Sequence, residues 1–444
     1  MIFVLLGVLA GTIAGLIPGI GIFVTLLILY PWLLSLSPMD TFIFYIALVS
    51  TTQYVGSVSA TIFGVPGESS SLPAVYEGNA LFKQGQGGLA ISGAAMGSLL
   101  GAFLTLGLVT ILSPFFYYIP YFFNTYIQAV VLWTILIVMT ISSNKNTFTS
   151  FLLVVFGFYL GFIGCDTVAG FGTCHMPIDH PDITTGLPML SVVGALFIFP
   201  QLLKSYKPSF ISYNQISSSL LYHFNYFVKN ISSAIRGSFI GFFLGFTPGA
   251  STALSSNAAH RYEVLREKRK NNYKQGNYRS LVAAETANNS ASFTTLLPLF
   301  ILGIPLAPSE ALFYDIITLK GFSFMKDFDM SFFMTTIAFN LIIINILAFM
   351  IAWPFAKYIS LLYKVPSYLI RTFVFITLCY VLWYVGYSYF QSEYYLIVFF
   401  SLLPVGYFLR NFDTMPLIFA FILQDRFYMN SHTLYDLTTS YLQL

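Results

Sequence analysis

Two short stretches carry residue types with which a polypeptide backbone can do chemistry: GLIPGIG at 15–21 and GFTPGAS at 245–251. Proline lacks an N–H and clashes with the preceding turn, so a helix stops near it. The helix that restarts beyond exposes free N–H groups at the positive end of its dipole, and that end attracts anions. Glycine permits close approach and unusual dihedrals. Hydroxyls and amides gather around both breaks. Ser57 and Ser59 precede a further bend at Pro66-Gly67, which Glu68, Ser69 and Ser70 follow; Ser251 and Thr252 follow Pro248-Gly249; Asn288 and Asn289 precede Gly303 and Pro305. Such groups can grip a carboxylate without a permanently buried cation. The expected binding set is therefore Pro18, Gly19, Gly21, Ser57, Ser59, Pro66, Gly67, Ser69, Ser70, Pro248, Gly249, Ser251, Thr252, Asn288, Asn289, Gly303 and Pro305. Ionisable side chains at membrane depth mark ion pathways. Glu285, one helical turn before Asn289, and Glu68 are the candidates for coupling to a cation, H+ or Na+. Glu77 reads as a loop cap or a water-facing residue.

The elements that hold these groups are set by hydrophobicity. The chain is 57% hydrophobic and 8% charged, with a mean hydropathy of +0.77. A soluble domain carries about 25% charged residues, so an integral membrane protein is implied. Apolar segments run over 2–17, 22–35, 41–63, 89–113, 126–142, 149–164, 189–203, 234–258, 281–302, 331–353, 371–389, 394–409 and 414–424. The expected fold is all-α, with about 10–12 transmembrane segments. The apolar start lacks a basic region and a cleavage site and reads as a true first span. Longer polar links fall at 64–88, 165–188 and 204–236. The basic run HRYEVLREKRKNNYKQGNYRS at 260–280 reads as a cytoplasmic loop, and the link 36–40 as facing out.

The two breaks align without a gap. Gly11, Gly15, Pro18 and Gly19 coincide with Gly241, Gly245, Pro248 and Gly249 at an offset of 230 residues, and Gly21 falls on Ser251. Gly64 and Pro66 align with Gly303 and Pro305 at an offset of 239. Repeated halves with interrupted or re-entrant helices are the signature of a secondary transporter. The opposite sidedness of 36–40 and 260–280 implies inverted-topology repeats. The expected division is a first repeat at 1–203, a connector at 204–236 and a second repeat at 237–444.

Other classes fit poorly. A net charge of +3 suggests no nucleic-acid partner. Cys165, Cys174 and Cys379 form no C-x-x-C pair, and the first two read as unpaired thiols. The cluster Cys174, His175, Asp179, His180, Asp182 has no helical His pair and reads as a loop rather than a metal site. No paired acids, activated nucleophile or H-E-x-x-H supports an intramembrane enzyme, and no Walker motif is present. A channel is compatible with the repeats alone.

Several motifs, in order and spacing, resemble the large membrane subunit of tripartite tricarboxylate transporters: Tyr54-Val55-Gly56-Ser57-Val58-Ser59-Ala60-Thr61, Val65-Pro66-Gly67-Glu68-Ser69-Ser70, Tyr76-Glu77-Gly78-Asn79, Lys83-Gln84-Gly85, Leu160-Gly161-Phe162-Ile163-Gly164-Cys165-Asp166, Glu285-Thr286-Ala287-Asn288-Asn289 and Leu302-Gly303-Ile304-Pro305. The resemblance covers most of residues 7–325. It implies a permease of the bacterial inner membrane, not an enzyme, that imports a small tri- or dicarboxylate on an ion gradient, with elevator-type alternating access. It also implies a small membrane subunit and a periplasmic binding protein as partners, beside the lipid bilayer. A homodimer is the expected self-association. Pro305-Leu306-Ala307 stands where the family prefers Pro-Gly-Ser, so a different small solute stays open.

Overall fold

The computed structural model describes residues 1–17, 21–64, 68–122, 125–143, 146–166, 173–176, 186–203, 220–247, 251–324, 337–353, 355–356, 367–390 and 392–442. The architecture is helical. Its only sheet among the described residues is the antiparallel pair β1 (Gly164–Asp166) and β2 (Thr173–Met176), which sets Cys165 opposite Cys174 in register. His175 falls on β2, whereas Asp179, His180 and Asp182 lie outside the described residues.

The chain opens with α1 (Ile2–Leu16), α2 (Gly21–Ile28), α3 (Tyr30–Ser35) and α4 (Pro38–Phe63). α4 starts where Ser37 Oγ accepts the Asp40 N–H at 3.2 Å, with Pro38 at the first turn, where a missing N–H is harmless. It stops at Gly64, whose φ of 68° is a left-handed cap that other residues rarely adopt. The link 64–88, expected to be irregular, is largely helical: wide turns at Ala74–Gly78 and Phe82–Gln86 flank α5 (Asn79–Leu81) and lead into α6 (Gly87–Phe122). Then follow α7 (Thr125–Ser143), α8 (Thr147–Gly161), α9 (Met189–Val193) and α10 (Phe199–Leu203).

The second part begins with α11 (Leu220–Leu244), which runs unbroken across the connector boundary placed at 236. α12 (Ser251–Arg269) takes up much of the basic run expected as a loop. Glu263, buried in that run, explains the difference: it binds Arg236 of α11 at 2.5 Å and lies 3.8 Å from Arg266 one turn on. Next come α13 (Tyr278–Thr294), α14 (Leu296–Leu302) and α15 (Pro308–Leu319). The remainder comprises α16 (Ala338–Ala352), α17 (Ser367–Phe390), α18 (Tyr394–Leu409), α19 (Met415–Ile422) and α20 (Gln424–Leu442), the last beyond the apolar segments.

Two helices are long and apolar enough to cross a bilayer, Pro38–Phe63 and the run Ala74–Phe116; Ile2–Leu16, Tyr126–Ile141, Thr147–Gly161, Met189–Leu203, Ala338–Ala352 and Tyr394–Leu409 are shorter apolar helices. The outer faces of α8, α11 and α17 expose Phe148, Phe151, Phe239, Phe243, Phe373 and Ile376. A surface of that kind is matched to lipid rather than water.

Small residues bring the inner helices together. Gly7, Gly11 and Gly15 of α1 lie against Ala47, Thr51 and Val55 of α4; Gly237, Gly241 and Gly245 of α11 lie against Ala283, Ala287 and Ala291 of α13. Close backbone approach through such stripes is the usual means of packing helices in lipid. On its other side α13 meets Gly97 and Gly101 of α6, and Ser290 Oγ donates at 3.2 Å to the Gly101 carbonyl and sits 3.1 Å from Ser238 Oγ of α11. α13 is consequently buried at every residue from Ser280 to Thr294, although its sequence is rich in polar side chains. α4 is buried from Phe44 to Phe63.

Candidate functional site

The polar side chains of α4 and α13 meet each other. Ser57 Oγ donates to Glu285 Oε2 across a separation of 228 residues, with both groups buried. One turn before Ser57, Gln53 reaches the link beyond α4: its amide donates to Glu68 Oε2 at 3.3 Å, and its carbonyl oxygen accepts from Ser70 Oγ at 2.9 Å. Gly56 makes room for that link, because a Cβ there would stand 3.0 Å from Ser71 Oγ. On α13, Asn289 Nδ2 donates to the Glu285 carbonyl at 3.3 Å. Asn289 also lines, with Ser50, Ser292 and Asn345, a void of about 10 Å³. α12 packs on both 69–71 and α13.

Several atoms here are buried yet unmatched. Glu285 Oε1, both amide atoms of Asn288, Ser71 Oγ, Ser255 Oγ and Ser256 Oγ have no partner in hydrogen-bonding geometry. Buried polar groups are nearly always bonded, and an orphan costs about 1–3 kcal/mol. These six unmatched atoms lie on the link that follows α4, on α12 and on α13. Among the described residues no Lys or Arg is buried. The polar groups the cluster offers are hydroxyls, amides and carboxyls.

The helix end beyond the first break and the one beyond the bend at Gly303-Pro305 carry the chain's own carboxylates. Glu68 Oε1 accepts the Ile22 N–H at 3.2 Å at the start of α2, beside Gly21 with its φ of 54°. Glu310 Oε2 accepts from Leu306 N at 2.6 Å and Ala307 N at 3.2 Å before α15. Tyr45 of α4, stacked on Phe313 at 4.1 Å, lies within electrostatic reach of both carboxylates. Asp315 accepts from Tyr30 Oη at 2.9 Å.

Ser57, Ser70, Glu68, Glu285 and Asn289 thus fall in one hydrogen-bonded set, and Asn288 stands within electrostatic reach of Glu285. Ser251 is buried and Thr252 half-buried at the start of α12, and Ser59 is buried on α4. Gly303 closes α14 with a φ of 63°, and Pro305 is buried beyond it. Their neighbours Leu302, Ile304 and Leu306 line an apolar cavity of about 350 Å³ rather than the polar cluster. Pro18, Gly19, Pro66, Gly67, Pro248 and Gly249 lie outside the described residues, as does the side chain of Ser69. Gln53 was missed by sequence reasoning, whereas Ser71 is the third hydroxyl of the run that follows Pro66-Gly67. Gln53 could have been found as a lone amide within an apolar span.

Glu77 differs from its expected place. It is fully buried and accepts from Gly276 N at 2.8 Å, Asn277 N at 2.7 Å and Tyr273 Oη at 3.0 Å, with His260 Nε2 at 2.9 Å. It does cap a helix, but one 200 residues away, and water does not reach it. Burial and the adjacent Glu77 carboxylate push the Tyr273 hydroxyl up to about 12, so it stays a neutral donor.

The tripartite tricarboxylate transporter TctA family model matches residues 1–420. A protein of Agrobacterium vitis described as an uncharacterized 52.8 kDa protein in the TAR-I ttuC' 3' region is 27% identical over 320 residues, which is 71% of this chain and 63% of the relative. The chain thus spans somewhat under two thirds of that relative's length. A second Agrobacterium vitis protein, described as an uncharacterized protein in the TAR-II ttuC' 3' region, is 35% identical over 81 residues, 18% of this chain and 34% of the relative. No solved structure matches the chain. With the family match running through both breaks and the whole polar cluster, the chain belongs to the tripartite tricarboxylate transporter TctA family, a family of membrane transporters.

Proposed function

We propose that the protein is the permease of a tripartite system and imports a small tri- or dicarboxylate across the bacterial inner membrane on a proton or sodium gradient. The observation that carries the reading is the Ser57–Glu285 contact with its surrounding orphaned amide and hydroxyl atoms. Glu285 and Glu68 are the cation-coupling groups. Asn288, Asn289, Ser57, Ser70 and Ser251 are the solute-binding groups. A small membrane subunit and a periplasmic binding protein are the partners that family membership suggests. A second copy of the chain is the expected companion in a homodimer.

Two inverted halves are supported by the matching glycine stripes, Gly7-Gly11-Gly15 and Gly237-Gly241-Gly245, and by the left-handed caps at Gly64 and Gly303. On this reading α4 and α13 belong to the paired core that moves in alternating access, elevator fashion, against a scaffold of the outer helices. Radiolabelled citrate serves as the first probe, followed by a series of di- and tricarboxylates, in cells carrying all three components. Replacing Asn288 and Asn289 together by Ala lowers uptake by about tenfold, the loss of two or three modest hydrogen bonds, while the protein still elutes as a folded species. Normal uptake by the double variant refutes the site. Collapse of the ion gradient abolishes uptake, whereas passive ohmic current in reconstituted bilayers overturns the transporter reading.

A further inference from the structure

The triplet Glu77-Gly78-Asn79 lies outside the expected binding set, yet two helix ends converge on it. On one side Asn79 Nδ2 donates to the carbonyls of Thr61 at 2.9 Å and Ile62 at 3.4 Å, the last turn of α4. The left-handed Gly64 lies against the same amide, since a Cβ there would stand 3.2 Å from Asn79 Oδ1. Gly78 lets the link touch α4, because a Cβ at that position would come 2.5 Å from Thr61 Oγ1. On the other side the Glu77 carboxylate takes the N–H groups of Gly276 and Asn277 at the N-terminus of α13. A negative charge there complements the helix dipole. Asn277 in turn caps α13 by accepting the Ser280 N–H at 3.0 Å.

Both ends lead rigidly to the same pair. Ser57 lies one turn before Thr61 on α4. Glu285 lies eight residues beyond Asn277 on α13, about 12 Å at 1.5 Å per residue. We propose that Glu77-Gly78-Asn79 is the positioning bracket of the site: it holds the end of α4 and the start of α13 in one register, and so sets Ser57 against Glu285. The bracket rests on the reading of that pair as the coupling point, but its test needs no transported solute.

The bracket is itself clasped from the second part of the chain. His260 of α12 and Tyr273 hold the Glu77 carboxylate, Lys268 lies 5.3 Å over the Tyr273 ring, and Gln84 Nε2 donates to the Gln275 carbonyl at 3.1 Å. The two acids of α12 pair elsewhere, Glu263 with Arg236 and Arg266, and Glu267 with Arg279 at 3.4 Å.

The test uses the full chain in lipid nanodiscs. A hydrophobic carbodiimide modifies the Glu285 carboxyl, and peptide mass spectrometry follows the rate across pH. Hydrogen exchange over 53–60 and 281–289 is read in parallel and decides the outcome where the reagent does not reach Glu285. Glu77→Ala removes the acceptor and frees the α13 end, and Asn79→Ala frees the α4 end. Each variant is expected to raise the labelling rate about threefold or more and to move its pH midpoint by roughly half a unit, because the Ser57 bond to Glu285 loosens. Exchange rises in both segments and stays at the wild-type level in α8. A rise confined to 270–280, with wild-type labelling and pH profile at Glu285, overturns the bracket and leaves a local loop latch. Where a variant does not fold, Tyr273→Phe, which removes one donor to Glu77, is expected to give a smaller change of the same sign, and no change overturns the proposal equally. Transport failing while the labelling result holds would refute the proposed function and not the bracket.

Discussion

Gly11→Ala and Gly241→Ala place a methyl group where two helices already touch. In α1, a Cβ on Gly11 would stand 2.7 Å from the Leu48 carbonyl oxygen and 2.8 Å from Thr51 Cβ. Ordinary contact begins near 3.4 Å, so α1 and α4 must part by about 0.7 Å locally. Overpacking of this order costs about 1–3 kcal/mol. Alanine returns up to about 1 kcal/mol through its better helix propensity, which leaves a net loss of about 1–2 kcal/mol. In α11, the Gly241 methyl would press on the Ala287 carbonyl oxygen more closely than the Gly11 methyl does on that of Leu48, and would meet Ser290 Cβ at 2.7 Å and Ala287 Cα at 2.8 Å. Backbone cannot swing aside, so its loss belongs at the upper end. Gly107 of α6 is the control, with nothing within 4 Å of its added Cβ, and there alanine gains stability. The assay is thermal unfolding of the detergent-purified protein, followed by tryptophan fluorescence and by loss of the monodisperse chromatographic peak. The expected order of melting temperatures is Gly107→Ala, then wild type, then Gly11→Ala, then Gly241→Ala. A Gly11→Ala protein that melts with or above Gly107→Ala would refute the argument that these stripes set the helix separation.

Lys320→Met is expected to lower stability by about 1–3 kcal/mol. The Lys320 ammonium donates to the carbonyls of Leu33 at 2.5 Å and Leu36 at 2.9 Å and to Thr41 Oγ1 at 2.5 Å, joining the end of α3 and the start of α4 to the end of α15. Equal melting of variant and wild type would show that the clamp contributes nothing. Tyr273 supplies a pH dependence. Its ionisation is raised from 10.0 to about 12 in the folded protein, so the folded state holds the proton more tightly than the unfolded one between those values. The hydroxyl's contribution is whole below pH 10 and is lost as pH climbs through about 12. A spectrophotometric titration comparing wild type with Tyr273→Phe tests this, and a missing ionisation near pH 10 rather than above it would contradict the geometry.

Much of the helical frame was legible because lipid imposes one rule on every span. The expected segments 41–63, 189–203 and 394–409 correspond to Pro38–Phe63, Met189–Leu203 and Tyr394–Leu409. What the hydrophobic pattern could not carry lies where polar residues are helical. The link 64–88 reads as loop because Glu77, Asn79 and Gln84 are polar, but their partners arrive from 260–277 and from α4, far away in sequence. The run 260–269 reads as loop because it is basic, yet Glu263 is buried against Arg236. At the site, the residue types around each break pointed to Ser57, Glu285 and Asn289 separately. That Ser57 meets Glu285 is a product of packing across 228 residues, which no local pattern encodes.

The first break is also used differently from its first appearance as an open anion site. The start of α2 already holds Glu68, and the approach to α15 holds Glu310, each carboxylate seated on backbone N–H groups. Glu285 lies beside the same cluster with one oxygen unmatched. On the proposed reading, a carboxylate solute entering this space is repelled by each of these carboxyls that is ionised, in a medium where repulsion is weakly screened and where no buried Lys or Arg offsets it among the described residues. It can stay only if some of those carboxyls are neutralised as it binds. A proton on the carboxyl, or a cation beside it, does so. On the proposed reading, cation coupling is therefore the condition under which an anion can occupy the space at all, and the resident acids are what impose it.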